Sequence, residues 1–262
     1  MPNARELYAA GQLEAAIEQL GTELRNNPTD PQRRTFLFEL LSFAGQYDRA
    51  EKQLDVLARG GSQAEMGTLL YRAALQAERI REHMFTTGDF PADAAPAPVA
   101  GTLNGKAFSS IEDADPRIGA RVEVMAGGRY LWVPFAYLAA LHADPPQRLR
   151  DLRWLPARLS TGPAVRDMEL GEVLLPLLTP AAWRASDPEL RLGRAADWED
   201  LPDGDFAPVG QKLLRIDGEL VPLVEVRDLV ITPGVSPPAA RGRATGTTDA
   251  DVVLRASGPL SE

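Results

Sequence analysis

Cysteine is absent from the 262 residues of this chain, and histidine occurs only at His83 and His142. The first absence excludes a disulfide framework, a thiolate metal site and a cysteine nucleophile. It also fits a cytoplasmic location. The second thins the field of general bases. No apolar run approaches the roughly 18 residues of a membrane span, and Met1-Pro2-Asn3 opens no signal peptide. Basic residues are outnumbered 28 to 37, for a net charge of −9. That balance argues against a nucleic-acid partner, which would need a concentrated basic surface. Arg241-Gly-Arg243 is too small a basic group to reverse it. Phosphate-binding loops, G-x-G-x-x-G turns, G-x-S-x-G elbows and H-E-x-x-H pairs are all missing. No cofactor is expected, and no metal.

What remains has the composition of a soluble globular protein, 44% hydrophobic and 25% charged. The first part, 1–86, reads as paired helices with an internal period of 34, the tetratricopeptide (TPR) spacing. Gly11 returns as Gly45, Ala16 as Ala50, Gln19 as Gln53 and Leu20 as Leu54. Glycine permits the turn between helices, and small alanine lets helices approach closely. Helices are expected near 3–10, 13–26, 31–44, 47–59 and 63–86. Thr29 or Asp30 is placed to cap the third, with Pro31 at its first position. In the fifth, Leu69, Leu70, Ala73, Ala77 and Ile80 share one face and predict packing across the pair as a cap. Residues 87–101 form a Pro/Ala linker.

The second part, 102–231, reads as a strand-rich α+β domain. Val122 and Val124 alternate with Arg121, Glu123 and Met125, the period of a half-buried strand. Gly127-Gly128 then supplies a hairpin turn. The return strand puts Tyr130 and Trp132 on one face, Leu131 and Val133 on the other. Asp217-Gly218 signals a second hairpin. A short helix is expected over Ala136 to Ala143, and Pro176 suggests that the Val173–Leu178 strand lies at a sheet edge. Trp132, Trp154, Trp183 and Trp198 are each expected in the core. Residues 232–262 show no periodicity and predict a disordered tail.

The chemistry-bearing candidates are few. The turn Asp113-Ala-Asp115-Pro-Arg117 carries the tempting carboxylates. As a calcium loop it fails, because Arg117 and Ile118 stand where a ligand and the glycine belong. A hydrolase using Asp113 and Asp115 is the alternative reading. The structural one has these carboxylates accepting backbone N–H bonds or pairing with Arg117 and Arg129. A groove on the helix stack would suit a partner's helix. Its candidate contacts are Arg33, Arg34, Phe36 and Glu39 on the exposed side of the third helix, with Arg129, Tyr130 and Trp132 of the hairpin.

Five strings, D-A-D-P-R-I-G (113–119), G-G-R-Y-L-W-V-P-F (127–135), L-R-D-L-R-W-L-P-A (149–157), A-D-W-E-D-L (196–201) and V-G-Q-K-L-L (209–214), together resemble the ImpE/TagJ family. These are accessory proteins of bacterial type VI secretion. The resemblance implies a helical N-terminal domain joined to a smaller α+β domain, in a cytoplasmic, non-enzymatic adaptor. It further implies binding to the N-terminal helix of the sheath small subunit, with a link to the AAA+ disassembly ATPase. A general repeat-type regulator with another partner stays open beside it.

Overall fold

A computed structural model of the chain describes residues 2–91, 99–162, 165, 170–202 and 204–232. The expected tail, and the middle of the expected linker, lie outside the described residues. The N-terminal part consists of α1 (Ala4–Ala9), α2 (Leu13–Asn26), α3 (Pro31–Phe43), α4 (Tyr47–Leu57) and α5 (Ser62–Thr87). Each boundary follows a local cause. The Asn3 side chain accepts from Glu6 N while Glu6 reaches back to Asn3 N, a capping box at the start of α1. Asp30 accepts from Arg33 N at 2.9 Å and Pro31 opens α3.

The period of 34 is structural. Gly11 and Gly45 both take positive φ, +76° and +68°. Just after them, Gln12 N donates to Leu7 O and Gln46 N to Leu41 O, each at 2.9 Å. Ala16 and Ala50 are fully buried at the helix crossings. Both turns are covered by a later segment: Trp183 stacks on Gly45 and Pro188 on Gly11.

The strands are β1 (Gly101–Leu103), β2 (Lys106–Phe108), β3 (Ile111–Asp113), β4 (Arg121–Ala126), β5 (Arg129–Pro134), β6 (Leu138–His142), β7 (Trp154–Thr161) and β8 (Gly171–Pro176). After the short helix α6 (Pro188–Arg191) come β9 (Ala196–Asp200), β10 (Phe206–Gly210), β11 (Leu213–Ile216), β12 (Glu219–Pro222) and β13 (Asp228–Ile231). Eight strands form an antiparallel sheet in the order β2-β1-β13-β6-β7-β8-β4-β5. A three-stranded sheet, β12-β11-β3, packs beside it, and β9–β10 is a separate hairpin.

Both expected hairpins are present, β4–β5 across Gly127-Gly128 and β11–β12 across Asp217-Gly218. The alternation along β5 sorts two cores. Tyr130 and Trp132 join the core shared with the helices, while Leu131 and Val133 join the core beneath the sheet.

Several expectations are corrected. β4 is buried on both faces rather than half-buried, because the helices cover its second side. Ala136 to Ala143 is a 3₁₀ turn followed by β6, not a helix. Pairing on one side with β13 and on the other with β7 overrides the helix preference of its alanines and leucines. β8 is an interior strand. Pro176 is tolerated because β4 meets β8 only at Met125–Leu174, so the ladder on that side ends before the proline. Trp198 is 38% exposed and Trp183 half-buried, so neither belongs to the deep core. Finally, Met66, Leu69 and Leu70 on α5 are exposed, and only the later part of that helix packs as expected.

Gly45 is where the turn and its cover meet most tightly: a Cβ there would lie 2.5 Å from the Trp183 ring. Gly45→Ala should lower stability by about 2–3 kcal/mol through clash and backbone strain together. Gly88→Ala, with φ +74° and open space around it, should cost only about 1 kcal/mol. Urea midpoints of the two variants check this; equal losses would remove Trp183 as the cause.

Candidate functional site

α5 presents a run of polar groups at helical spacing to the sheet: Glu78, Arg81 and Glu82. The first two are almost wholly buried, which demands partners. Arg81 finds Glu123 at the centre of β4, donating from Nε at 2.6 Å and Nη2 at 2.9 Å in a two-pronged pair. Lys212, buried just before β11, also contacts Glu123 and reaches Asp113 at 2.6 Å. Tyr130 on the neighbouring strand donates its hydroxyl to Glu123, and Trp132 Nε1 donates to that hydroxyl at 2.5 Å.

Glu78 completes the set. It accepts from Trp154 Nε1 at 2.9 Å and lies 3.4 Å from Arg153. Arg153 also donates to Tyr47 at 2.9 Å, and Tyr47 and Trp183 both donate to Glu82. Three buried cations thus face three buried carboxylates at the junction of helices and sheet. Burial pushes the Glu123 carboxyl up, but Arg81 and Lys212 outweigh it and hold the group well below the usual range. Asp113 goes the other way. Burial first, then the like charge of Glu123, outweighs Lys212 and pushes it up to about 6.

The nominated residues divide by position. Tyr130 and Trp132 are buried in the junction and are not a surface. Arg129 is half-buried at the start of β5. On α3, Phe36 and Glu39 are likewise buried, so the expected exposed side of that helix is narrower than its pattern suggested. Arg33 is exposed and pairs with Glu23 and Asp30. Arg34 donates to Pro28 O and to Gln53. Glu39 holds Arg150 at 2.7 Å, and Arg150 also donates to Tyr71. Phe36 and Glu39 still contribute to the wall of a groove of about 670 Å³, with Arg5 and Tyr8 on α1 and Arg148 opposite.

The acidic turn is structural. Asp113 accepts from Asp115 N, and Asp115 accepts from Arg117 N, Nε and Nη2. Both carboxylates are 1% exposed, so they present no pair to a substrate. Arg117 instead lies over the Phe85 ring of α5. Among the described residues, no cluster of three His, Asp or Glu side chains could hold a metal ion.

Sequence reasoning missed Glu78, Arg81, Glu123 and Lys212. Two of them, Arg81 and Glu123, stand 42 positions apart, and only the fold brings them together. The sequence carried no signal for them: Glu123 alternates with Val122 and Val124 as a solvent-facing strand residue would, and Arg81 stands in the charged run Glu78-Arg79-Ile80-Arg81-Glu82, which reads as a solvated helix face.

The fold and junction define a class: a helical repeat joined through a buried ionic seam to an antiparallel sheet domain. The sequence profile of the ImpE protein family matches residues 105–230, most of the sheet domain. The type VI secretion system accessory component TagJ of Pseudomonas aeruginosa is 31% identical over 265 residues, covering 88% of this chain and 91% of that protein. A crystal structure of a Vibrio parahaemolyticus protein superposes with a TM-score of 0.75, covering 88% of this chain and 98% of the other. At 20% identity it shows a shared fold. The chain belongs to the ImpE/TagJ family.

Glu123→Leu would leave Arg81 and Lys212 buried with too little negative charge, and should cost about 3–5 kcal/mol in denaturant unfolding. The two acids also set opposite pH trends. Asp113 binds a proton more tightly folded than unfolded, so it favours folding as pH falls from 7 through about 6. Glu123 contributes stability that is present above its unfolded value of 4.5 and lost as pH falls further. Melting temperature should rise from about pH 7 to pH 5 and fall below pH 4, and Asp113→Asn should lack the first rise.

Proposed function

We propose that this protein is a non-catalytic accessory component of type VI secretion that binds the N-terminal helix of the contractile-sheath small subunit. By doing so it modulates sheath assembly, or disassembly through the AAA+ ATPase. The observation that carries this reading is the 31% identity to TagJ, which extends over nearly the whole of both chains. Type VI secretion is the setting stated for that relative.

Two features support an adaptor over an enzyme. The strongest carboxylate candidates, Asp113 and Asp115, are occupied by Lys212 and Arg117 inside the fold. The surface, by contrast, offers grooves with apolar walls and polar rims, the form that helix recognition takes. No described helix is long and apolar enough to cross a membrane. We place the protein in the cytoplasm, where the sheath is built.

The test is titration of a labelled peptide, copied from the N-terminal helix of the cognate sheath small subunit, into the purified protein. Saturable binding at micromolar concentrations or below is expected. No binding at protein concentrations of about 100 μM would remove this partner.

A further inference from the structure

The groove of about 670 Å³ beside α1 and α3 is built by both parts of the chain. α1 and α3 are the first helices of the two repeat units, and they meet where Tyr8 packs edge-on against Phe36, with ring centroids 6.1 Å apart. Gln32, Thr35, Phe36 and Glu39 follow the i, i+3, i+4, i+7 spacing of one α3 face and line the groove from that side. The segment Gln147 to Arg150 lines it from the sheet domain. Repeat stacks present ligand-binding surfaces of this kind. The turn side of the stack is covered by Trp183 and Pro188, whereas this groove stays open.

Its charge runs against that of the chain. Arg5, Arg148 and Arg150 line the groove, and Glu39 is the carboxylate among its lining residues. Glu39 is taken by Arg150 at 2.7 Å, and Arg150 also donates to Tyr71. Arg5 and Arg148 are exposed, and neither pairs with a carboxylate among the described residues. Arg5 lies instead with its Cζ 5.0 Å from the centroid of the Phe36 ring, a contact that holds the guanidinium at the groove. Acidic residues outnumber basic ones 37 to 28 in the whole chain. Two arginines left without acids in one cleft therefore depart from the rest of the surface.

Between the arginines the lining is partly apolar, with half-buried Tyr8 and Leu149. Guanidinium groups on either side of an apolar floor are complementary to carboxylates that flank an apolar side chain. A second copy of the chain would bring a net charge of −9 against −9. A short acidic segment reaches the arginines without that repulsion.

We propose that this groove recognises an acidic segment of another protein, in which aspartate or glutamate side chains flank a large apolar one. The apolar side chain lies against Tyr8 and Leu149, and the carboxylates pair with Arg5 and Arg148. That such a segment belongs to the sheath small subunit rests on the function proposed above; its acidic character rests on the groove.

The experiment uses the full-length protein and three labelled probes: a model peptide of glutamate and leucine, its counterpart with lysine for glutamate, and the sheath-subunit peptide. Each is titrated into wild type, Arg5→Glu, Arg148→Glu and Arg59→Glu, with sedimentation of each protein alone. Arg59 is exposed on the 3₁₀ turn after α4, outside the groove, and controls for net charge. Circular dichroism verifies folding. Expected is saturable binding of the glutamate peptide to wild type and Arg59→Glu, about tenfold weaker in Arg5→Glu and in Arg148→Glu, and weakening as salt is raised. The glutamate peptide decides the groove. Equal binding in wild type and either groove variant, an equal loss in Arg59→Glu, equal binding of the lysine counterpart, or no binding at about 1 mM overturns it. A wild-type dimer that Arg5→Glu disperses overturns it too. The sheath peptide decides the partner separately. Its failure to bind, with arginine-dependent binding of the glutamate peptide intact, keeps the groove and removes the sheath subunit as its guest.

Discussion

The pair between Arg81 and Glu123 is the interaction on which the rest of the structure depends. A guanidinium and a carboxylate with essentially no solvent exposure are tolerable only when each is nearly saturated with partners. Glu123 is met by Arg81, Lys212 and Tyr130, and Arg81 by Glu123 and Glu78. The partners come from four places in the fold: α5, β4, β5 and the residue before β11. Hydrophobic faces can slide over one another, whereas these groups fit in one registry. The angle between helices and sheet is fixed by hydrogen-bond geometry as much as by packing.

The same constraint orders the surroundings. Trp154 stacks against Phe38 of α3 while its Nε1 bonds Glu78, so the apolar and polar halves of the ring hold two different helices. Trp132 similarly stacks on Phe90 and bonds Tyr130. The segment from Trp183 to Arg194 returns to the helix stack, where Arg191 pairs with Glu14 and Arg194 donates to Tyr8 O and Ala9 O. Because this segment covers both repeat turns, part of the surface that a free repeat stack would offer is used internally. The unpartnered apolar surface is found instead at the start of α5, beyond the reach of the junction.

Much of the fold was legible because its signals are local. The Asp30–Pro31 cap, the two glycine hairpin turns and the two-faced alternation of β5 all depend on neighbours within a few positions, and the 34-residue offset is one such local pattern written twice. The errors came where distant pairing decides. Ala136 to Ala143 has helix-favouring composition but is claimed by β6 between β13 and β7. Pro176 marks an edge only if the ladder runs past it, and here it does not. Aromatic residues beside arginine, as in Arg129-Tyr130, suit interfaces, and Tyr130 and Trp132 do form one, between the two parts of this chain. Leu69 and Leu70 carried the opposite error: their periodicity marked an apolar face correctly, but nothing in the sequence says whether such a face is covered by its own chain.

If the ionic seam makes helices and sheet a single body, the two must unfold together. The direct measurement is equilibrium unfolding followed in parallel by far-ultraviolet circular dichroism, which reports the helices, and by fluorescence of the junction tryptophans Trp132 and Trp154. The account predicts coincident transitions with one midpoint. Loss of the fluorescence signal at lower denaturant than the helix signal would show the helices standing without the seam, and would contradict it.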